Sequence, residues 1–322
     1  MGRNIVLLGV AAAGVILLAV RIATWPPLPK EKLVEIPKGS SAREVAAILK
    51  REHIIRRESW FLFLTNRRKV QEKLQAGIYE FTGRTKLGDV VDKLVKGQTA
   101  FRKVTIPEGA TVSEIVRILQ SEQLVTRESF ADAAGGRSLE GYLFPDTYCF
   151  PVRVDARTVI NTMLEQFRKE MEVILGAPLA SRTQEDVRKI VTVASIVEKE
   201  AEIDEERPII ASVIYNRLKR NMALQCCSTV EYALGFRRQR LTGEDLRIDS
   251  PYNTYRHRGL PPTPICNPGR NSLRAAAFPS QTSYLYFVTR GDRTHQFSRT
   301  WREHDAAVSR YLSGQREGSA AQ

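Results

Sequence analysis

Two glutamates near the end of an apolar segment are the residues of this sequence best suited to chemistry. The segment, residues 190–200, reads IVTVASIVEKE and carries Glu198 and Glu200 into what its apolar residues predict to be a core. An ionised carboxylate is costly to bury without a partner, so a buried one keeps its proton to a higher pH than usual. A carboxyl group that is still protonated near neutral pH can serve as a general acid.

The helical positions of the two glutamates distinguish them. Two residues along a helix correspond to a rotation of roughly 200°, so both side chains cannot face one cleft. Glu198 shares its face with Val191, Ala194 and Ser195, whereas Glu200 shares its face with Val193, Ile196 and Val197. The larger apolar neighbours favour Glu200 as the acid. The alternative is a buried helix that ends in an ordinary charged turn.

A hydrolase that uses two carboxylates needs a partner for the first one. Glu231 and Asp249 are candidates, although their spacing does not show that they lie near the helix. The loops after residue 223 are rich in Tyr, Asn, Gln and Thr, which suits sugar recognition because amides and hydroxyls bond sugars beside stacking rings. The same composition is typical of ordinary turns. The candidates for substrate binding are Gln225, Thr229, Tyr252, Asn253, Thr254 and Tyr255.

The sequence gives little support for a serine-hydrolase site, a metal site or a disulfide framework. The sequence has no G-x-S-x-G motif, its four histidines lack metal-ligand spacing, and His295 and His304 are expected to cap or pack. The four cysteines form no C-x-x-C pair and are too few for a disulfide framework, so they pair singly or stay free. We therefore expect no metal and no cofactor.

The overall charge indicates the class of partner. The net charge is +13, which favours nucleic acid, anionic lipid or an acidic cell-wall polymer equally. No nucleic-acid motif accompanies the basic residues, so we expect no nucleic-acid partner. Residues 5–20 are uncharged and apolar, and Trp25 suits a membrane interface. Residues 1–30 thus predict an uncleaved membrane anchor and linker, with a cleaved signal peptide as the alternative.

An internal repeat organises the first half of the chain. One copy begins at Val34 and the other at Val104, an offset of 70 residues without a gap. Each copy reads as a short strand, a Pro–Gly turn with a Ser or Thr cap, and an amphipathic helix. A strand at residues 76–81 and a helix at 86–95 complete a small α+β module over residues 31–100. The chain is predicted to be α+β throughout.

The sequence pattern of the second half predicts mainly helices. We expect them at residues 156–175, 183–200 and 204–220, the last with Asp204 as its N-cap and Pro208 in its first turns. A hairpin over residues 284–297 and a helix at 300–312 follow. The polar tail, residues 313–322, is expected to be disordered.

Several motifs occur together in one order along the chain. They are LEGYLFPDTY at 139–148, ASIVEKE at 194–200, LQ-x-x-x-TV at 224–230, YNTY at 252–255, GLPP at 259–262, NPG at 267–269, SLRAAAFP at 272–279 and YLYFV at 284–288. In order and spacing they resemble one known family, the endolytic murein transglycosylases or YceG-like proteins, and the resemblance covers nearly all of residues 34–312.

The resemblance implies a single-pass protein of the inner membrane with a LysM-like module at 31–100 and a catalytic domain at 101–312 outside the cytoplasm. It implies cleavage inside nascent peptidoglycan strands beside penicillin-binding-protein synthases, with 1,6-anhydro ends, and it assigns catalysis to the second glutamate of E-K-E, Glu200. The family usually has Asp-Pro where this chain has Cys227-Ser228. That departure favours the alternative function, a non-catalytic glycan-binding scaffold for the synthases.

Overall fold

The computed structural model describes residues 31–82, 85–236 and 241–317. The predicted anchor, residues 1–30, lies outside the described residues. Within those residues, no helix combines the length and the apolar composition needed to cross a membrane. The chain divides into two compact units after Phe101.

The first unit packs a two-stranded sheet against helices. Its elements are β1 (Lys32–Ile36), α1 (Ala42–Arg51), α2 (Glu58–Arg67), a 3₁₀ turn (Gln71–Lys73), β2 (Gly77–Phe81) and α3 (Leu87–Val95). Strands β1 and β2 run antiparallel, with Val34 opposite Tyr79. Both residues are buried with Leu49, Phe61 and Val91 in a core of this unit's own. The α+β prediction holds here, while the LysM-like assignment stays a prediction.

The second unit contains the other elements, the first of which begins one residue before the division. They are β3 (Phe101–Thr105), α4 (Val112–Ser121), α5 (Arg127–Ala134), β4 (Thr147–Pro151), α6 (Ala156–Leu175), α7 (Gln184–Glu200), α8 (Arg207–Lys219), α9 (Cys227–Leu234), α10 (Arg270–Ala277), β5 (Tyr286–Thr289), β6 (His295–Ser298) and α11 (Trp301–Glu317). Strand β3 pairs with β4, and β5 pairs antiparallel with β6.

Helix α6 joins two apolar cores in this unit. Val159 and Met163, in its first half, pack with the second repeat copy. Phe167 and Met171, further along, pack with α7, α8 and α10. Because one continuous helix contributes to both cores, the second repeat copy belongs to the same folding unit as the residues that carry chemistry.

The two repeat copies share their local structure. Ser41 and Thr111 each cap a helix by accepting a hydrogen bond from the backbone of Glu44 or Glu114, whose carboxylate bonds back to the cap. The glycine of each preceding turn has a positive φ, +81° at Gly39 and +74° at Gly109, which a residue without a side chain adopts freely. The repeat prediction is confirmed.

Two local predictions are wrong. Asp204 does not cap α8, because residues 204–206 form a 3₁₀ turn that runs directly into Arg207. Its carboxylate accepts from the side chains of Arg207 and Asn271 instead. The last helix was predicted to end at residue 312, and α11 continues to Glu317. Disorder of the tail stays a prediction, and residues 318–322 lie outside the described part of the chain.

A buried polar network fixes the second repeat copy to the rest of its unit. Asn267 is fully buried, and its side chain accepts from the amides of Gly141 and Leu143 and donates to Glu140. The Glu140 carboxyl also accepts from Val112 N, at the start of α4, and from the Tyr232 hydroxyl, on α9. Burial raises the pKa of Glu140 to about 7 despite these donors.

The raised pKa predicts a pH-dependent stability. Between about pH 4.5 and 7 the folded protein binds this proton more tightly than the unfolded chain, so stability falls as pH rises and levels off above 7. The difference in free energy of unfolding between wild type and Glu140→Gln should therefore change by about 3 kcal/mol at most across that range. Urea unfolding at pH 5 and pH 8 measures it, and equal pH slopes for the two proteins would contradict the assignment.

Candidate active site

The helix that carries both glutamates is built as its sequence suggests. Thr183 caps α7 by accepting from Asp186 N at 3.1 Å. Residues 191–197 are buried, and the helix ends at Glu200, where Ala201 N still donates to Val197 O at 2.9 Å. The chain therefore brings Glu198 and Glu200 to the last turn of a helix that is held rigidly in the core.

Glu198 is a structural residue. Its side chain is 8% exposed and pairs with Arg207 at 3.3 Å. Its second oxygen accepts from Gly269 N at 2.9 Å, at the start of α10. With a cation and a backbone amide as partners, this carboxylate links α7 to α8 and α10.

Glu200 has a different environment. The residue is partly exposed, and its Oε1 accepts from the Ser228 hydroxyl at 2.7 Å and from Ser228 N at 3.3 Å. Burial of the carboxyl raises its pKa, although the two Ser228 donors oppose the rise. The group also stands at the C-terminal end of α7, where the helix dipole disfavours a negative charge. A raised pKa together with partial exposure are two properties that a general acid needs.

Two buried threonines hold the start of α9 in place through hydrogen bonds. Thr229 Oγ1 donates to Cys226 O at 2.7 Å and lies 2.8 Å from Thr254 Oγ1. Thr254 also accepts from Cys226 N, and its carbonyl accepts from Gln225 N. These contacts join the 225–229 and 252–255 segments, so the two loop motifs form one wall beside Glu200.

Three of the predicted substrate contacts support this wall from within. Thr229, Asn253 and Thr254 are at most 2% exposed. Asn253 donates to Leu246 O and Ile248 O and accepts from Tyr255 N, so its amide is fully engaged. Side chains buried in this way hold the loop in shape, and a substrate does not reach them in this conformation.

The other three remain open to solvent. Gln225 is exposed and takes a positive φ of +50°. Tyr252 and Tyr255 are partly exposed, with their hydroxyls 2.8 Å from Thr263 Oγ1 and 3.1 Å from Cys227 Sγ. Burial raises the pKa of Tyr255 far above its usual value, so its hydroxyl stays neutral. Substrate binding by these three side chains stays a prediction.

The two candidate partner carboxylates, Glu231 and Asp249, differ in their relation to Glu200. Glu231, on α9, acts electrostatically on Glu200 and raises its pKa further. The Asp249 side chain is 86% exposed and pairs with Arg256 at 3.6 Å. Only Glu231 of the two therefore influences the candidate acid.

Ser228 was missed as a site residue from the sequence. It lies in a motif that marked this segment, but only the fold shows that its hydroxyl donates to Glu200. No local spacing relates the two residues, because the contact spans 28 residues of chain. His295 was expected to cap or pack, and it contacts a buried carboxylate, Glu206.

Metal-ligating side chains and cysteines could form two other kinds of centre, a metal site and a disulfide. Among the described residues, no three or more His, Cys, Asp or Glu side chains are arranged to hold a metal ion. The four cysteines are free thiols, two buried and two exposed, which decides between the alternatives left open by the sequence.

The chain resembles proteins of known family. A model of the YceG-like family matches residues 34–310. A Bacillus subtilis protein named endolytic murein transglycosylase is 34% identical over 311 residues, covering 88% of this chain and 86% of that protein. A Streptococcus pneumoniae R6 protein of the same name is 28% identical, and the alignment covers 87% of this chain and 58% of that protein.

A solved structure gives the same result. The crystal structure of a yceG-like protein from Listeria monocytogenes superposes with a TM-score of 0.53 at 33% identity. The alignment covers 86% of this chain and 98% of that chain. The similarity therefore extends over both units of the fold.

Because Glu198 and Glu200 have different partners, we expect their substitution to lower the free energy of unfolding by different amounts. Glu198→Gln should lower the free energy of unfolding by about 2–4 kcal/mol, because it leaves the buried Arg207 guanidinium short of a counter-charge. Glu200→Gln should change it by no more than about 1 kcal/mol, because no ion pair between described residues is lost. Urea unfolding of both variants tests this, and an equal loss would show that Glu200 is also structural.

Proposed function

The chain belongs to the YceG-like family, and from that premise we propose that it is an endolytic murein transglycosylase in which Glu200 acts first as acid and then as base. The relatives confirm the family predicted from the sequence and the lytic transglycosylase class of enzyme. The observation that carries the catalytic assignment is the sheltered, partly exposed Glu200 carboxyl, bonded to Ser228 and unpaired with any described cation.

The proposed reaction needs one carboxyl group. Protonated Glu200 gives its proton to the glycosidic oxygen as the bond from that oxygen to the muramoyl C1 breaks, which releases the glucosaminyl unit as an alcohol. The neighbouring N-acetyl group stabilises the positive charge at C1. The muramoyl C6 hydroxyl then attacks C1, and its proton passes to the Glu200 carboxylate. The products are a 1,6-anhydro end and a regenerated acid, with no water consumed.

A single acid–base residue fits the surroundings of Glu200. A retaining or inverting hydrolase uses a second carboxylate as nucleophile or base. The charge of Glu231 raises the pKa of Glu200, and Asp249 lies exposed on an ion pair with Arg256. An internal nucleophile on the substrate makes a second carboxylate unnecessary.

Substrate contacts are proposed for the open side chains of the wall. Gln225 offers an amide, and Tyr252 and Tyr255 offer rings and hydroxyls that suit sugar faces and their polar edges. Thr229, Asn253 and Thr254 support these groups by bonding the two loop segments together. The proposed ligand is a glycan strand of peptidoglycan.

The cellular setting is part of the same proposal. The apolar composition of residues 5–20 supports a membrane anchor at residues 1–30. The resemblance to the family supports an anchor in the inner membrane with the catalytic domain outside the cytoplasm. Peptidoglycan strands made by nearby synthases would then be cut within the strand, which ends their elongation. Labelling of exposed Cys227 by a membrane-impermeant maleimide in intact spheroplasts tests the orientation.

Product analysis tests the chemistry directly. The full chain, incubated with purified uncrosslinked glycan strands, should release fragments with 1,6-anhydromuramoyl ends, measured by mass spectrometry. Glu200→Gln should lose nearly all turnover, by a factor of about 100 or more, because a proton donor is removed while the shape is kept. Glu198→Gln is the matched control and should keep most of the activity at 25 °C.

Three results would contradict the proposal. Fragments with reducing ends and an added water would make the protein a hydrolase, and loss of turnover in Glu198→Gln alone would assign the wrong glutamate. Strand binding without release of fragments by wild type would favour the scaffold. That alternative depended on Cys227-Ser228, and the two bonds from Ser228 to Glu200 support catalysis instead.

A further inference from the structure

A basic cavity between α4 and α5, in the second unit, has no role in the proposed reaction. It has a volume of about 460 Å³ and is lined by residues of both helices and by residues 137–140. Three arginines line it: Arg117 on α4, Arg127 at the start of α5 and Arg137 after the end of α5. We call it the α4–α5 cavity.

The α4–α5 cavity combines an apolar floor with polar groups that solvent reaches. Val116, Phe130 and Leu139 line it and are at most 9% exposed, so they form the floor. Gln120 and Ser138 line it as exposed residues and offer an amide and a hydroxyl. A cavity of this kind fits a ligand that carries negative charge and small apolar groups together.

The arginines have N–H donors to offer to a ligand. The Arg117 side chain is 73% exposed, and its pair with Glu114 is long, at 3.8 Å, so it is a weak surface contact. Arg137 donates from Nε to Ala134 O at 3.0 Å and from Nη2 to Ala133 O at 3.3 Å. These bonds hold its guanidinium at the end of α5 and leave further N–H groups that a carboxylate can accept from.

The α4–α5 cavity shares a residue with the surroundings of the glycan wall beside Glu200. Glu140 lines the cavity, and its carboxyl accepts from the Tyr232 hydroxyl at 3.2 Å. The Tyr232 ring packs against the ring of Tyr252, with their centroids 4.9 Å apart, and Tyr252 is a proposed substrate contact. Three side chains in contact thus lead from the cavity to the proposed glycan site, so a strand bound there can place another of its groups in the cavity.

A peptidoglycan strand carries a group of the required chemistry. A short peptide branches from the lactyl group of each muramoyl unit, and this stem peptide combines free carboxylates with the methyl groups of alanine. Carboxylates match guanidinium groups in charge and geometry, and the methyl groups match the apolar floor. Where the peptide has been removed, the bare lactyl group is a second source of carboxylate.

We propose that the α4–α5 cavity binds the stem peptide of the strand whose sugars lie at Glu200, with Arg117, Arg127 and Arg137 donating to its carboxylates. The choice of ligand rests on the proposed function. A contact of this kind, remote from the bond that breaks, stabilises bound substrate and transition state alike. It therefore strengthens binding and leaves kcat unchanged.

The kinetic test combines two substrates with two proteins, using the full chain. One substrate is uncrosslinked strands with their peptides, and the other is the same strands after an amidase has removed the peptides. For wild type, KM should be about tenfold higher on the stripped strands, with kcat unchanged. Arg117→Gln/Arg127→Gln should raise KM about tenfold on peptide-bearing strands and leave KM on stripped strands unchanged, because the lost partner is the peptide.

A matched control removes the same charge elsewhere. Arg302→Gln/Arg310→Gln replaces two exposed arginines of α11, which does not line the cavity, and should leave both KM values unchanged. Circular dichroism establishes that each variant folds, and Arg127→Gln alone serves if the double variant does not. An equal KM for wild type on both substrates, or a KM that rises equally on both in the cavity variant, overturns the inference.

A binding measurement does not depend on the reaction. Isothermal titration calorimetry with a synthetic stem pentapeptide should show saturable binding that weakens in salt and is lost in Arg117→Gln/Arg127→Gln. N-acetylmuramic acid, which carries only the lactyl carboxylate, should not bind. Binding of N-acetylmuramic acid alone, or peptide binding that the variant retains in full, overturns the inference.

The two proposals fail separately. If wild type releases no anhydro ends but binds the pentapeptide through the arginines, the proposed function fails and the peptide site stands. If wild type releases anhydro ends but binds no pentapeptide, the peptide site fails and the function stands.

Discussion

The site depends on how one carboxyl group is placed between two helix ends. Glu200 is the last residue of α7, where the dipole and burial both disfavour its anion. The same carboxyl accepts from Ser228, in the first turn of α9, where a helix dipole favours an anion. In the proposed function these opposing influences let the group release and regain a proton, and the bonded 225–229 and 252–255 segments hold Ser228 in place beside it.

The two glutamates of one helical turn show how neighbours decide the role of a residue. The Glu198 side chain is buried, yet Arg207 balances its charge and Gly269 N donates to its second oxygen. Glu200 has hydroxyl and amide donors but no described cation bonded to it. Burial of a carboxylate is therefore not enough to identify an acid; the identity of its partners decides.

Local features of this fold were readable in the sequence, and long-range ones were not. Apolar periodicity and caps predicted α6, α7 and both repeat copies, because those signals lie within a few neighbouring residues. The large apolar residues on its helical face also favoured Glu200 as the candidate acid. Ser228 could not be predicted as a partner of Glu200, because their contact joins elements far apart in the chain. Asp204 was misjudged because a 3₁₀ turn extends α8 backwards without a cap.

The departure at Cys227-Ser228 strengthens the site when considered chemically. The family usually has proline at the position of Ser228, and proline has neither a backbone N–H nor a hydroxyl to donate. Serine supplies both, and both reach Glu200 Oε1. In the proposed function, occupying one oxygen in this way leaves Oε2 to carry the transferable proton. The hydroxyl and the backbone N–H of Ser228 thus act together on the proposed catalytic carboxyl.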